Sequence, residues 1–239
     1  MDKIPRSDQA GLAVLGEALL SPWTIRGRRV LIPGALLTGG YAAVALVSFG
    51  RAVPRLEHAW AHHPGRLGEL TGVAGLPPGL LVALLVVVTV AAAWLGFGIL
   101  AAALGAVGRA AGRPAPWGDW LTLALWANVP RLLALLLGMS LALVLGRSFP
   151  LPLTPALWTF AAAVGPLAYR ILSGISPFTL WYGYVLAGGL IGRGLAPRRA
   201  VGWTLALWIL GLGIDLAAWH LPLPRLWRLL PLGPLQPGF

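Results

Sequence analysis

Long apolar runs separated by short polar stretches dominate the chain from residue 30 onward. A helix that crosses a bilayer needs about 20 mostly apolar residues. Val30–Phe49 supplies one such run, and Leu80–Val107 a longer second that must tilt or protrude. Trp120–Leu145 is a third, interrupted by Asn128, Pro130 and Arg131; Phe178–Gly192 is a short fourth and Ala200–Trp219 a fifth. Residues 50–79 read as a loop between the first two. Pro155–Leu172 is also apolar but contains Pro166 and Arg170, which sit better in an interfacial or re-entrant helix than against lipid. The predicted fold is therefore an all-α integral membrane bundle of five transmembrane helices, six if 155–172 crosses, plus interfacial amphipathic helices.

The two ends differ from this core. In residues 1–29, Leu12, Leu15, Leu19 and Leu20 recur at helical spacing ahead of Arg26, Arg28 and Arg29. That pattern predicts a cytoplasmic or interfacial segment, apolar face down and arginines among headgroups. The basic cluster comes too late for a cleavable signal peptide. Residues 220–239 are proline-rich and cannot continue as a regular helix, so the membrane domain is expected over 30–219. The balance of Lys and Arg between loops places the N-terminus in the cytoplasm of a multi-pass cell-membrane protein, for five spans or six.

Composition sharpens this picture. The chain is 58% hydrophobic and 10% charged, with mean hydropathy +0.80. A soluble domain carries about a quarter charged residues, so there is too little polar surface to coat a globule in water. The net charge of +11 is spread singly or in pairs between apolar runs, which fits anionic headgroups and topology rather than nucleic acid. With no cysteine and seven carboxylates, thiol and two-metal chemistries have little material. No protease, phosphatase or Walker motif is present. The expectation is a non-enzymatic protein without cofactor. Lys3 is the single lysine among 18 basic residues; this bias points to a GC-rich bacterium, and the absence of Cys hints at a thermophile.

Three stretches carry a resemblance. Trp120–Leu137 reads WLTLALWANVPRLLALLL, an aromatic and a small residue followed by proline. Ser176–Arg199 reads SPFTLWYGYVLAGGLIGRGLAPRR, with Phe-x-x-Trp at its start and a basic turn near its end; Glu17–Arg29 places Pro22 ahead of the first span. Together they resemble the Yip domain family, a five-span membrane domain named for binding Ypt/Rab GTPases, in its prokaryotic branch. The resemblance implies the fold and a membrane location. The tyrosine-glycine-proline signature of the eukaryotic branch is absent and the N-terminal segment is short, so no Rab-type GTPase partner is expected.

Candidate chemistry lies inside the spans. A charge at the bilayer centre costs roughly 2.5–3.5 kcal/mol on insertion scales and marks a functional position by default. Arg131 and Asp215 are expected at similar depth, where they either pair or, with Asn128, line a polar groove for a lipid headgroup. Pro130 removes one backbone hydrogen bond and reads as a kink. Gly96, Gly98, Gly188 and Gly192 are candidate helix-packing positions, the last two forming GxxxG. Trp120, Trp126, Trp181, Tyr182, Tyr184, Trp203 and Trp219 read as an aromatic belt. His58, His62 and His63 are a weak metal candidate, because His58 and His62 share a face at i, i+4 if that stretch is helical; solvated histidines are the default. The leading expectation is a protein that organises membrane or handles lipid. The alternatives are an accessory subunit docking another membrane protein or a second copy, and a small-solute transporter, for which no inverted repeat is visible.

Overall fold

The computed structural model describes residues 31–62, 77–145 and 175–220. Among the described residues the chain is all-helical. The helices are α1 (Leu31–His62), α2 (Pro78–Ala110), α3 (Trp117–Leu145), α4 (Pro177–Gly192) and α5 (Pro197–His220). Three windows are long and apolar enough to cross a membrane: Leu31–Arg51, Gly79–Ala110 and Trp117–Leu141. By length and composition, then, this is a membrane protein. α4 has 16 residues, and α5 opens on Arg198 and Arg199. The expected interfacial helix before residue 30, the 155–172 segment, His63 and the tail from 221 lie outside the described residues.

Local chemistry sets the helix ends. Pro177 starts α4, where a missing N–H costs nothing, and Ser176 Oγ accepts a hydrogen bond from the Thr179 N–H at 3.1 Å. The C-termini of α2 and α4 close in the same way. Gly112 (φ 68°) and Gly194 (φ 87°) take the left-handed conformation that a Cβ disfavours. Arg113 N–H reaches back to Gly108 O and Leu195 N–H to Leu190 O, while each glycine N–H bonds the carbonyl three residues earlier. Both are Schellman motifs; Pro114 follows the first directly, and Pro197 after the second opens α5.

Side-chain contacts fix the register. Across α3 and α4, Leu123 meets Gly189, Arg131 meets Tyr182, and Arg193 meets both Asp119 and Trp120. As α3 numbers rise, α4 numbers fall in step, so the two helices are antiparallel. Trp120 sits against Gly105 and Gly108 of α2, and Gly183 of α4 against Thr204 of α5; each of these pairs is also antiparallel. The α2–α3 and α4–α5 turns therefore stand side by side at one end of the bundle. α3 is the hub, packed against α1, α2 and α4, while the main neighbour of α5 is α4. The core runs along α3 through Trp120, Leu123, Trp126, Val129 and Leu132.

Several expectations change. Residues 50–79 are not all loop: α1 continues to His62, through Arg51 and Pro54. Hydropathy falls where lipid would end, and the helix does not end there. The third span is one helix, as expected: the polar residues interrupt its apolar run but not its backbone, which continues through Pro130. Trp120 and Trp126 do not form an interfacial belt; they are 2% and 1% exposed, and Tyr182 is buried too, because α3 is enclosed by three neighbours. Trp181 is half-buried, while Tyr184 and Trp203 are exposed as a belt requires; the Trp219 side chain lies outside the described residues. Side chains built at Gly96 or Gly98 would meet nothing among the described residues. The close approaches instead use Gly40 against Leu132, Gly108 against Trp120 and Gly189 against Leu123. Gly188 is buried beside Gly189, and Gly192 lies in the last turn of α4.

Candidate functional site

Polar side chains within the helices are mostly satisfied locally. Thr89, Thr122 and Ser140 each donate to the carbonyl four residues earlier in their own helix. Asn128, buried beside Pro130, does the same: its Nδ2 donates to Ala124 O at 2.8 Å. Its amide N–H2 is thus engaged with its own helix. Between helices, Trp94 Nε1 donates to Thr38 Oγ1 at 3.0 Å, tying α2 to α1.

Arg131 is different. Thr122 through Pro130 are buried without a break, and Arg131 is the first exposed residue after them. Its guanidinium carbon stands 4.0 Å from the centre of the Tyr182 ring, a cation–π geometry. Tyr41 from α1 lies within electrostatic reach of the same guanidinium. Three helices thus contribute to one level of the bundle: α1 with Tyr41, α3 with Arg131 and α4 with Tyr182.

α4 begins at Pro177, five residues before Tyr182, or about 7.5 Å along the helix axis. Arg131 therefore lies alongside α4, more than one helical turn inside its start. An exposed cation held on an aromatic face is suited to hold an anion.

The expected partner, Asp215, is not at this level. Gly183 against Thr204 sets residue 205 opposite Tyr182. Asp215 is ten residues further along α5 (215 − 205), about 15 Å at the rise of a helix. The register therefore separates the backbone positions that similar depth was expected to bring together; the Asp215 side chain itself is not described. His58 and His62 both fall within α1, one turn apart, and their side chains are likewise outside the description. Among the described residues no cluster of metal-ligating side chains is present.

A second polar locus occupies the end with the paired turns. Arg193, at the end of α4, donates from Nη1 to Gly189 O at 2.8 Å and from Nη2 to Asp119 O at 2.6 Å. Its guanidinium carbon lies 5.1 Å from the centre of the Trp120 ring. Trp120 Nε1 in turn donates to Ala115 O at 3.2 Å. One arginine thus fastens the C-terminus of α4 to the N-terminus of α3. Sequence reasoning missed this locus and the tyrosines around Arg131. The available signal was the recurrence of Gly-Arg with a following proline, at Gly112-Arg113-Pro114 and again at Gly192-Arg193 before Pro197.

Comparison with known protein families, with characterised proteins and with solved structures returns no match to this chain.

Proposed function

We propose that this chain is a non-enzymatic, multi-pass membrane protein of the Yip type, with a cytoplasmic N-terminus and five crossings. It acts on the bilayer by drawing an anionic lipid headgroup down to Arg131. The observation that carries this reading is the exposed Arg131 guanidinium seated on Tyr182 just inside the start of a short helix. Measured on α3, Arg131 is about 15 Å from Leu141 and about 21 Å from Trp117, near mid-span. Measured on α4, it is about 7.5 Å from the helix start. A helix as short as α4 is accommodated by local thinning of the bilayer. Thinning there brings headgroups within reach of a snorkelling arginine. Together these produce a local dip in the membrane with a bound anionic lipid, which is a physical basis for organising membrane.

The test is native mass spectrometry of the gently solubilised protein with phosphatidylglycerol and with phosphatidylcholine, wild type beside Arg131→Leu. A discrete phosphatidylglycerol adduct in the wild type, lost in Arg131→Leu, is the expected result. Equal adducts in both proteins, or none in either, would overturn the reading. A second polypeptide at fixed ratio would make the protein an accessory subunit instead.

A further inference from the structure

We infer that the pocket between the two Gly-capped turns, at the end of the bundle away from the start of α4, is a second anion site that takes a phosphate group. The pocket is open, has a volume of about 600 Å³, and is lined by Gly112, Arg113, Pro114, Asp119, Arg193 and Gly194 among others. Its walls come from two segments far apart in sequence, joined by the α3–α4 register. Much of the lining is backbone, because two of the residues are glycines whose left-handed conformation excludes a side chain.

Two guanidinium groups share this space. Arg193 is held by Gly189 O, Asp119 O and the Trp120 face, and so is pre-positioned. Arg113 lies flat along Gly194: a Cβ built there would stand 3.4 Å from Arg113 Cζ. Any side chain at 194 would therefore press on Arg113. Two like charges at one small pocket repel, and an anion between them converts that repulsion into attraction. The carboxylate of Asp119 also lines the pocket, in the first turn of α3, where it complements the helix dipole. Planar guanidinium forks match phosphate oxygens bidentately, which makes phosphate the chemistry of the ligand. A phospholipid headgroup and a soluble phosphate compound share that chemistry.

The experiment uses the purified full-length protein and follows thermal unfolding in two titrations: inorganic phosphate in neutral detergent, and phosphatidylglycerol in mixed micelles against phosphatidylcholine. The variants are Arg113→Gln, Arg198→Gln (an exposed arginine at the same end but outside the pocket) and Arg131→Gln. Arg113 is exposed, so its loss should leave the fold intact, which the unfolding curve without ligand checks directly. Protection by phosphatidylglycerol alone identifies a headgroup; protection by inorganic phosphate identifies a soluble source. In either case Arg113→Gln should need about tenfold more ligand, the cost of one charge-assisted contact. Arg198→Gln should titrate like the wild type in the phosphate arm, and the loss caused by Arg113→Gln should be the same in an Arg131→Gln background. The inference is overturned if neither probe protects, or if Arg113→Gln and Arg198→Gln weaken binding equally. Arg131→Gln separates this site from the one above, since Arg131 lies about 18 Å further along α3 than Asp119.

Discussion

α2 and α3 are joined by a six-residue turn and lie side by side, yet only 11% of the apolar window of α2 is buried within the protein, against 67% for α3. The more apolar helix is the less buried one. In a soluble protein that order would be perverse, because apolar residues gather in the core. In a bilayer the solvent is itself apolar, so Leu84, Val87, Leu95 and Ile99 of α2 are exposed without penalty. The helix enclosed by protein is the one that can carry Thr122, Asn128, Pro130 and Arg131. Hydropathy here reports contact with lipid, and interruptions in hydropathy report contact with protein.

The sharpest way to break this contrast is to empty a position on each helix. Trp126 of α3 is 1% exposed, and Leu95 of α2 is 67% exposed. Trp126→Ala should destabilise by about 4 kcal/mol, through lost contacts and the cavity left behind. Leu95→Ala should stay within about 0.5 kcal/mol. Equilibrium unfolding in a mild detergent reads both. Comparable losses at the two positions would mean that the outer face of α2 is packed against something.

Overfilling should give the next largest effect. A Cβ at Gly108 would overlap the Trp120 ring and stand 3.0 Å from the Arg113 carbonyl oxygen, a ring and a backbone atom that cannot swing aside. Gly108→Val is expected to cost about 3 kcal/mol. The same measurement on Gly189→Val should show a smaller loss, since the obstacle there is the flexible end of Leu123. If the two were equally harmful, side-chain adaptability would not be what separates them.

The Arg131 level tests the contrast through binding instead of stability. If the aromatic face holds the guanidinium in place, Tyr182→Phe should keep the phosphatidylglycerol adduct and Tyr182→Leu should weaken it about fivefold, a cation–π contribution of about 1 kcal/mol. A loss in Tyr182→Phe equal to that in Tyr182→Leu would shift the role from the ring to the phenol. Thr38→Val removes the acceptor for Trp94 Nε1 and should cost about 1 kcal/mol in unfolding, the worth of one hydrogen bond. No change on that substitution would show that the indole finds another acceptor.

How far each feature could be read in advance follows from the range of the interaction behind it. The spans over α1, α2 and α3 are legible because apolar runs act locally, and the start of α4 because Ser176 and Pro177 cap it by themselves. Arg131 is conspicuous for the same reason: a lone charge in an apolar run needs no partner to be noticed. Its neighbours are another matter. Tyr182 reaches it only through the antiparallel register of α3 and α4, and Tyr41 through the docking of α1. That same register moves Asp215 away, although helix arithmetic alone puts the two charges at similar depth. Trp120 and Trp126 look like belt residues because an all-apolar helix offers no periodicity to show which faces are enclosed. Small residues share this ambiguity: Gly96, Gly98 and Gly108 differ only in where Trp120 happens to lie.

That last ambiguity yields the smallest and most discriminating prediction. Gly96 and Gly98 sit in the interior of α2, where a glycine costs about 0.5–1 kcal/mol relative to alanine, and a Cβ at either would meet nothing among the described residues. Gly96→Ala and Gly98→Ala should therefore stabilise the isolated protein slightly, by about 0.5 kcal/mol each in detergent unfolding. The sign carries the information. A face that only meets lipid gains from the added methyl groups through helix propensity alone, whereas one that seats another helix loses close approach. If either substitution destabilises the protein, or lowers its recovery as an oligomer from native membranes, the exposed side of α2 is an assembly surface. The low burial of that helix would then describe one chain and not the working complex.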